Sequence, residues 1–178
     1  MPIQTLSNGE ILNIREAQPE DAANLITYVK QVADETQFLT FGSDEFLIKE
    51  AQEATLLKNY AETDNRLFLL ALLEQQIVGI LNVFGNSKQR LKHIGELGMS
   101  VAKLHWHKGI GTALLTSALH WATSNPIIRK IDLGVQADNA AAIHLYYKLG
   151  FEREGRQSRG SLINGVFYDV ILMGKQFD

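Results

Sequence analysis

The sequence predicts one α/β domain in which a single mixed sheet is covered by helices. The 178 residues, of which 46% are hydrophobic and 21% charged, have the size and composition of one globular domain spanning residues 1–178. Strand and helix patterns follow the order strand, two helices, three strands, helix, strand, helix, two strands. A strand–helix–strand unit between His93 and Gln136 predicts a locally parallel pair with a right-handed crossover.

The first half of the chain predicts a strand, two helices and a hairpin. The segments are a strand at residues 11–15, helices at residues 19–33 and 43–63, and strands at residues 66–74 and 77–84. Pro19, followed by two acidic residues, is typical of a helix start. The second helix carries an apolar stripe of Phe46, Leu47, Ala51, Ala54, Leu57 and Ala61. The hairpin is joined at Gln75–Gln76 and lacks the usual glycine.

The second half alternates strands and helices with clear end signals. The segments are strands at residues 93–101 and 131–136, helices at residues 109–123 and 139–149, and final strands at residues 151–155 and 167–173. The first of these helices ends before Asn125–Pro126, because the residue before proline avoids helical geometry. The second ends at Gly150, which suits a left-handed cap.

Composition excludes several classes of function. The net charge is −3 and there is no run of Lys or Arg, so nucleic-acid binding gains no electrostatic support. No apolar stretch approaches the ~20 residues needed to span a bilayer. The absence of cysteine removes disulfides, thiolate metal sites and an acyl-cysteine intermediate. The first residues lack a secretory signal pattern, and we therefore expect a cytoplasmic protein that binds neither nucleic acid nor membrane.

Residues 108–112, with the sequence Lys-Gly-Ile-Gly-Thr, suggest a phosphate-binding turn. Glycines at 109 and 111 allow close approach to a diphosphate, and the N–H groups at a helix start have no internal partners. Lys108 adds a positive charge. The dinucleotide fingerprint fails because Leu114 occupies its third glycine position, and the order of residues does not match a Walker A loop. A plain strand-to-helix turn remains the alternative interpretation.

A second motif lies about thirty residues further on, in the helix that ends at Gly150. With the glycine turn, it resembles the GNAT family of N-acetyltransferases, whose glycine turn binds the diphosphate of coenzyme A. The residues that match the family's second motif are Asn139, Ala142, Leu145, Tyr146, Lys148, Gly150 and Phe151. In the first motif Trp106 stands where the family has Gln or Arg, a position that does not supply diphosphate N–H groups.

The resemblance extends over nearly the whole chain and implies both a fold and a reaction. The implied fold is a mixed, mostly antiparallel sheet of about seven strands with about four helices and a splayed parallel pair at the cofactor site. The implied donor is acetyl-CoA, with no metal, and the implied acceptor is a primary amine attacked directly in a ternary complex. Cofactor-binding positions are expected at Met99, Val101, His107, Lys108, Gly109, Ile110, Gly111, Thr112, Asn139 and Tyr146. A homodimer is compatible with the family.

Two residues are candidates for proton transfer. The resemblance places Tyr146 beside the thioester sulfur as general acid; its alternative is a core tyrosine with a satisfied hydroxyl. Glu96 lies on the strand before the glycine turn, where similar enzymes often carry a base, and an ordinary solvated carboxylate is the alternative. Strand alternation sends Glu96, Gly98 and Ser100 to one face and Leu97, Met99 and Val101 to the other. The resemblance also implies that main-chain groups around Met99 and Val101 are left for the pantetheine arm, and a backbone N–H there is the expected oxyanion donor.

The remaining candidates concern metal binding and the acceptor. His105 and His107 lack a convincing third ligand, so a loop flanking the cofactor is favoured over a metal site. Carboxylates and phenylalanines in residues 34–45 suit a cationic amine, but helix capping by residues 43–45, with the phenylalanines in the core, is the favoured interpretation. Arginines at 153, 156 and 159 suit either a substrate carboxylate or the surface. We expect a small or amino-acid-like amine as acceptor, with a protein N-terminus, or a non-catalytic acyl-CoA sensor, as alternatives.

Overall fold

The computed structural model describes residues 3–6 and 9–178, which form one sheet and four α-helices. The strands are β1 (Ile3–Thr5), β2 (Ile11–Glu16), β3 (Leu67–Leu73), β4 (Gln76–Gly85), β5 (Ile94–Val101), β6 (Lys130–Gln136), β7 (Glu152–Ile163) and β8 (Val166–Gln176). The helices are α1 (Ala22–Glu35), α2 (Glu50–Ala61), α3 (Ile110–Ser124) and α4 (Ala140–Lys148). Within this described part, no helix is long and apolar enough to cross a membrane.

The sheet is mixed and mostly antiparallel, as predicted. Its order is β1-β2-β3-β4-β5-β6-β8-β7, and of its described pairs β5–β6 alone is parallel. It has eight strands instead of about seven, because Ile3–Thr5 adds a short edge strand. Apolar residues of α3 and α4 pack with one face of the sheet, and those of α1 and α2 form a second cluster on the other. The helices therefore form two separate layers, with α3 and α4 on one face of the sheet and α1 and α2 on the other.

The parallel strands β5 and β6 separate after a short paired segment. Their register runs from Ile94–Lys130 to Glu96–Asp132, although both strands continue beyond it. On its other edge, β5 stays paired with β4 as far as Val101. The predicted splay is thus confirmed, and it leaves the second half of β5 with one edge unpaired in the described sheet.

The start of α2 differs from the prediction. The helix begins at Glu50 and not near Ser43, because the preceding polar side chains make local turn contacts. The Ser43 hydroxyl donates to Asp34, and the Gly42 N–H donates to the Glu45 carboxylate at 2.8 Å. The Lys49 N–H donates to the Gln52 side chain at 3.0 Å, which caps the true start. The inward face consists of Glu53, Leu57 and Tyr60, while Leu47 of the predicted stripe is exposed.

Two hairpin turns show where turn chemistry was misjudged. The turn between β3 and β4 lies at Glu74 and Gln75, one residue before the predicted joint, and both residues have positive φ. The final hairpin is much longer than predicted. Its turn is Asn164–Gly165, with φ of 50° and 78°, and Asn-Gly is the preferred pair for such a turn. That dipeptide was the available signal for the extension of β7 to Ile163.

Candidate functional site

The glycine turn opens α3 without any side-chain cap. Gly109 precedes the helix with φ of 87°, a left-handed conformation that glycine adopts without strain. The Ala113 N–H donates to the Gly109 carbonyl at 3.0 Å and makes the first helical hydrogen bond. The N–H groups of Ile110, Gly111 and Thr112 precede that bond, so they have no intrahelical acceptor. The helix start is a cluster of free donors at the positive end of a 15-residue helix.

Gly111 brings three predicted elements into contact. A Cβ atom at this position would lie 3.4 Å from Leu145 Cδ2, 3.7 Å from Met99 Cε and 3.9 Å from Val101 Cγ2. Leu145 belongs to α4, whereas Met99 and Val101 belong to β5. The glycine turn, the splayed strand and the second motif therefore meet at one place.

The unpaired edge of β5 presents main-chain groups beside this turn. The Ala102 N–H donates to the Val78 carbonyl of the neighbouring segment at 2.9 Å. Because main-chain groups alternate between the two edges of a strand, those of Met99 and Val101 face the opposite edge, beyond the last paired residues of β5 and β6. The Trp106 indole N–H donates to the Val101 carbonyl at 2.7 Å. Met99 keeps both groups available for a ligand, whereas Val101 keeps only its N–H.

The loop before the turn holds its basic residues in place. Lys108 Nζ lies 3.6 Å from a Glu10 carboxylate oxygen and 3.4 Å from His105 Nδ1. Burial, with the charge of Lys108, lowers the pKa of His105. His107 is exposed and has φ of 60°. Across residues 3–6 and 9–178, no group of three or more His, Cys, Asp or Glu side chains is arranged to hold a metal ion.

Tyr146 lies in the core on the α3 and α4 side of the sheet. It is 6% exposed, and its ring meets Phe151 edge-on with centroids 5.6 Å apart. Its hydroxyl makes no hydrogen bond to another described residue, and burial raises the pKa of Tyr146 to about 12. At the other end of the helix, Asn139 Oδ1 accepts from the Ala142 N–H at 3.2 Å. The Asn139 carboxamide oxygen is therefore used as a helix cap.

Glu96 lies on the opposite face of β5. It is exposed, and the predicted alternation is observed, because Leu97 is in the core beneath α3. On the face of Glu96, Ser100 Oγ and the Tyr28 hydroxyl are 3.1 Å apart. Asn82 donates to the Tyr60 hydroxyl at 3.1 Å on the same face. Sequence patterns did not reveal these tyrosines, which are brought to β4 and β5 by packing of distant helices.

The acceptor-side candidates make mostly local contacts. Phe41 and Phe46 stack with centroids 5.4 Å apart, and the neighbouring carboxylates serve the turn contacts described above. They do not cap a helix as predicted, because α2 begins only at Glu50. Arg156 forms an ion pair with Asp169 at 2.5 Å, and Arg159 lies over the Phe167 ring. A cavity of about 260 Å³ beside the start of α4 is lined by Ala137, Asp138, Arg156, Phe167, Tyr168 and Asp169.

Comparison with known proteins places this geometry in a family. The family model described as "Acetyltransferase (GNAT) family" matches residues 29–151. The chain belongs to the GNAT acetyltransferase family. The match includes the glycine turn, the splayed β5 and all of α4, so the predicted family and the prediction of an acyltransferase enzyme are confirmed.

Individual GNAT relatives differ in the acceptor that their names state. A GNAT-family acetyltransferase structure from Streptococcus pneumoniae is 41% identical, with a TM-score of 0.91 over 94% of this chain and 99% of that one. An L-amino acid N-acetyltransferase of Escherichia coli is 30% identical over 60% of this chain and 66% of its own length, just under two thirds. A ribosomal-protein-alanine N-acetyltransferase structure from Brucella melitensis is 26% identical, with a TM-score of 0.81, over 93% and 99%.

Proposed function

We propose that this protein transfers the acetyl group of acetyl-CoA to a primary amine. The observation that carries the proposal is the uncapped start of α3 beside the unpaired edge of β5. The N–H groups of residues 110–112 suit the diphosphate, and Lys108 contributes a positive charge. The Met99 carbonyl and the Val101 N–H suit the amides of the pantetheine arm. His107 and Asn139 are further proposed contacts of the cofactor, and the Asn139 carboxamide oxygen already caps α4.

Transfer proceeds by direct attack in a ternary complex. The amine nitrogen attacks the thioester carbonyl carbon, the carbon–sulfur bond breaks, and the thiolate leaves with the bonding electrons. The main-chain N–H of Met99 is the proposed donor to the oxyanion. Tyr146 is the proposed donor to the thiolate, because its buried hydroxyl has no other described partner. Its pKa of about 12 exceeds the ~8.5 of a thiol, so hydrogen bonding to the thiolate is favoured over complete proton transfer.

Glu96 is the proposed base for the ammonium form of the acceptor. Its carboxylate is exposed on the face opposite the core side of β5, where an incoming amine meets it. It takes the amine proton directly or through a water molecule. Glu96→Gln keeps the shape and removes the basic oxygen. We therefore propose that this change lowers kcat/KM most strongly below the pKa of the amine.

The proposed acceptor is a small or amino-acid-like amine. One relative is an L-amino acid N-acetyltransferase, and a cavity beside the start of α4 is lined by the Arg156–Asp169 ion pair, with which a zwitterionic substrate could exchange partners. A protein N-terminus remains the second candidate because another relative is a ribosomal-protein-alanine acetyltransferase. A non-catalytic acyl-CoA sensor is a third. The cytoplasmic location of this protein remains a prediction.

The deciding experiment measures thiol release from acetyl-CoA against a panel of amines. The panel contains amino acids, polyamines, aminoglycosides and short peptides with free N-termini. Acceptor-dependent release, absent in a Gly111→Glu control, supports the enzyme and names its substrate class. Acetyl-CoA binding without release from any free amine or peptide contradicts the small-amine proposal. If protein substrates also cause no thiol release, the result favours the non-catalytic sensor.

A further inference from the structure

A cavity lies between α2 and the sheet, on the sheet face that carries Glu96. Its volume is about 380 Å³, which is enough for a small molecule. One side is lined by a stripe of α2 residues at helical spacing, Leu56 and Asn59 among them, and the other side by Arg66 and Phe84. Leu56 and Phe84 are exposed apolar side chains. The cavity therefore combines accessible apolar surface with one cationic side chain.

The strand register places this cavity beside Glu96. Phe84 of β4 and Glu96 of β5 are directly paired, so their side chains are neighbours on one face of the sheet. Arg66 directly precedes the pair of Leu67 with Val83, which puts it opposite Phe84. Because neighbouring strands lie about 4.8 Å apart, about 10 Å separates the backbones of Arg66 and Glu96. A cation, an aromatic ring and the proposed base thus form one row across the sheet.

The Arg66 guanidinium is held in place without being neutralised. Its Nε donates to the Gly85 carbonyl at 3.3 Å, and its Nη1 donates to Asn59 Oδ1. The group lies over the Phe84 ring, 4.0 Å from the centroid, an arrangement that a guanidinium favours. These bonds use two of its five N–H donors, and no ion pair joins Arg66 to a carboxylate of the described residues. Three donors therefore remain for a ligand.

The unused donors of Arg66 suit a carboxylate. A guanidinium binds carboxylates through charge-assisted N–H donors in a fixed planar geometry. At Arg156 the same chemistry is already satisfied within the protein, by Asp169. The described residues that line the cavity at Arg66 include no acidic side chain. The anion that matches Arg66 is therefore left to a bound molecule.

We propose that Arg66 binds the carboxylate of an acceptor whose amine lies at Glu96, and that this acceptor is an ω-amino acid. The inference rests on the proposed function and narrows its substrate class. In an α-amino acid one carbon atom separates the two charged groups, too few to extend from Glu96 past Phe84 to Arg66. A chain of several methylene groups matches this spacing and packs against Phe84 and Leu56. Arg66 is a specificity-determining residue and takes no part in bond formation.

The first test compares two isomeric amino acids and one amine without a carboxylate. For the wild type, kcat/KM for 6-aminohexanoate should exceed the values for 2-aminohexanoate and n-hexylamine by at least about tenfold, as expected for a charge-assisted pair. Arg66→Gln should remove this preference and leave the n-hexylamine value unchanged. Arg90→Gln, at an exposed arginine outside the cavity lining, is the matched control and should keep it. A wild type without the preference, or an Arg66→Gln variant that retains it, would overturn the proposal.

A second variant leaves Arg66 intact and supplies the anion from within the protein. Asn59→Asp keeps the size of the side chain that meets Nη1 and adds a carboxylate there. Asn59 is exposed on α2, so the fold should survive the change. The new ion pair should lower kcat/KM for 6-aminohexanoate by about tenfold and leave n-hexylamine unaffected. This variant is the readout if Arg66→Gln unfolds, and an unchanged preference in it contradicts the proposed site.

Direct binding separates this inference from the proposed catalysis. Calorimetric titration of 6-aminohexanoate into the protein, with and without coenzyme A, should give an affinity at least about tenfold weaker in Arg66→Gln than in the wild type. Arg66-dependent binding without acetylation of any amine refutes the transferase proposal alone. Acetylation of other amines, with no Arg66-dependent binding of 6-aminohexanoate, refutes the ω-amino acid inference alone.

Discussion

The helices α3 and α4 satisfy the first N–H groups at their starts differently. At α4, Asn139 Oδ1 accepts from the Ala142 N–H, and the helix supplies its own cap. At α3, Gly109 has no side chain, and the first three N–H groups remain free. A capping side chain is worth about 1 kcal/mol, so its omission at α3 is a cost that an external anion can recover. The difference indicates that α3 is arranged for a ligand and α4 for stability.

The largest expected effect comes from placing a negative charge at the free helix start. Gly111→Glu should weaken acetyl-CoA binding by at least about 100-fold, because the carboxylate repels the diphosphate and competes for its donors. The fold should survive, since an added Cβ meets only ordinary contacts at 3.4 Å or more. Calorimetry measures the affinity, and Gly111→Ala is the size control. Equal affinities for Gly111→Glu and Gly111→Ala would show that the diphosphate binds elsewhere.

The next effect separates chemistry from binding at the other helix. Tyr146→Phe should lower kcat by about 10- to 100-fold, because the developing thiolate loses its hydrogen-bond donor. Acetyl-CoA affinity should change little, since the ring contact with Phe151 is retained. Steady-state kinetics with the best acceptor measures both quantities. Full turnover in this variant would make Tyr146 a core residue only. Tyr147→Phe, on the exposed side of α4, is the matched control.

A smaller effect is expected from removing the cap of α4. Asn139→Ala should lower the free energy of unfolding by about 1 kcal/mol, because the Ala142 N–H loses its acceptor. Urea denaturation measures the change. If the residue also contacts the pantetheine arm, KM for acetyl-CoA will rise as well. A variant of wild-type stability would mean that solvent replaces the cap without cost.

The smallest effect is an alkaline loss of stability from the buried Tyr146. Burial raises the pKa of Tyr146 to about 12 from its usual 10, so between these values the unfolded chain binds fewer protons than the folded one. Stability from this group is complete below pH 10 and is lost as the pH rises toward 12. At pH 10 the wild type should have lost about 0.4 kcal/mol more than Tyr146→Phe, relative to pH 8. Parallel losses in the two proteins would assign alkaline instability to other tyrosines.

Local sequence signals predicted much of the site. Gly109 requires a left-handed turn, Asn139 begins a helix, and Gly150 ends it with φ of 83°. Each feature depends on the conformational preference of one residue, which acts over a few positions. The start of α2 was misjudged for the same reason. Apolar spacing suggested a helix from Ser43, whereas side-chain contacts such as that of Glu45 with the Gly42 N–H favour turns.

What the sequence determined by itself was the order of the elements, the family and the residues around the glycine turn. Only the tertiary structure placed Gly111 against both β5 and α4, left the Met99 edge unpaired and buried Glu53 on the inward face of α2. Backbone preferences and helix capping act between near neighbours and are therefore visible in the chain. The burial of a side chain, and whether a charged group has a partner, depend on contacts between residues that are far apart in the sequence. One such contact is the hydrogen bond from Asn82 on β4 to Tyr60 on α2, 22 residues away.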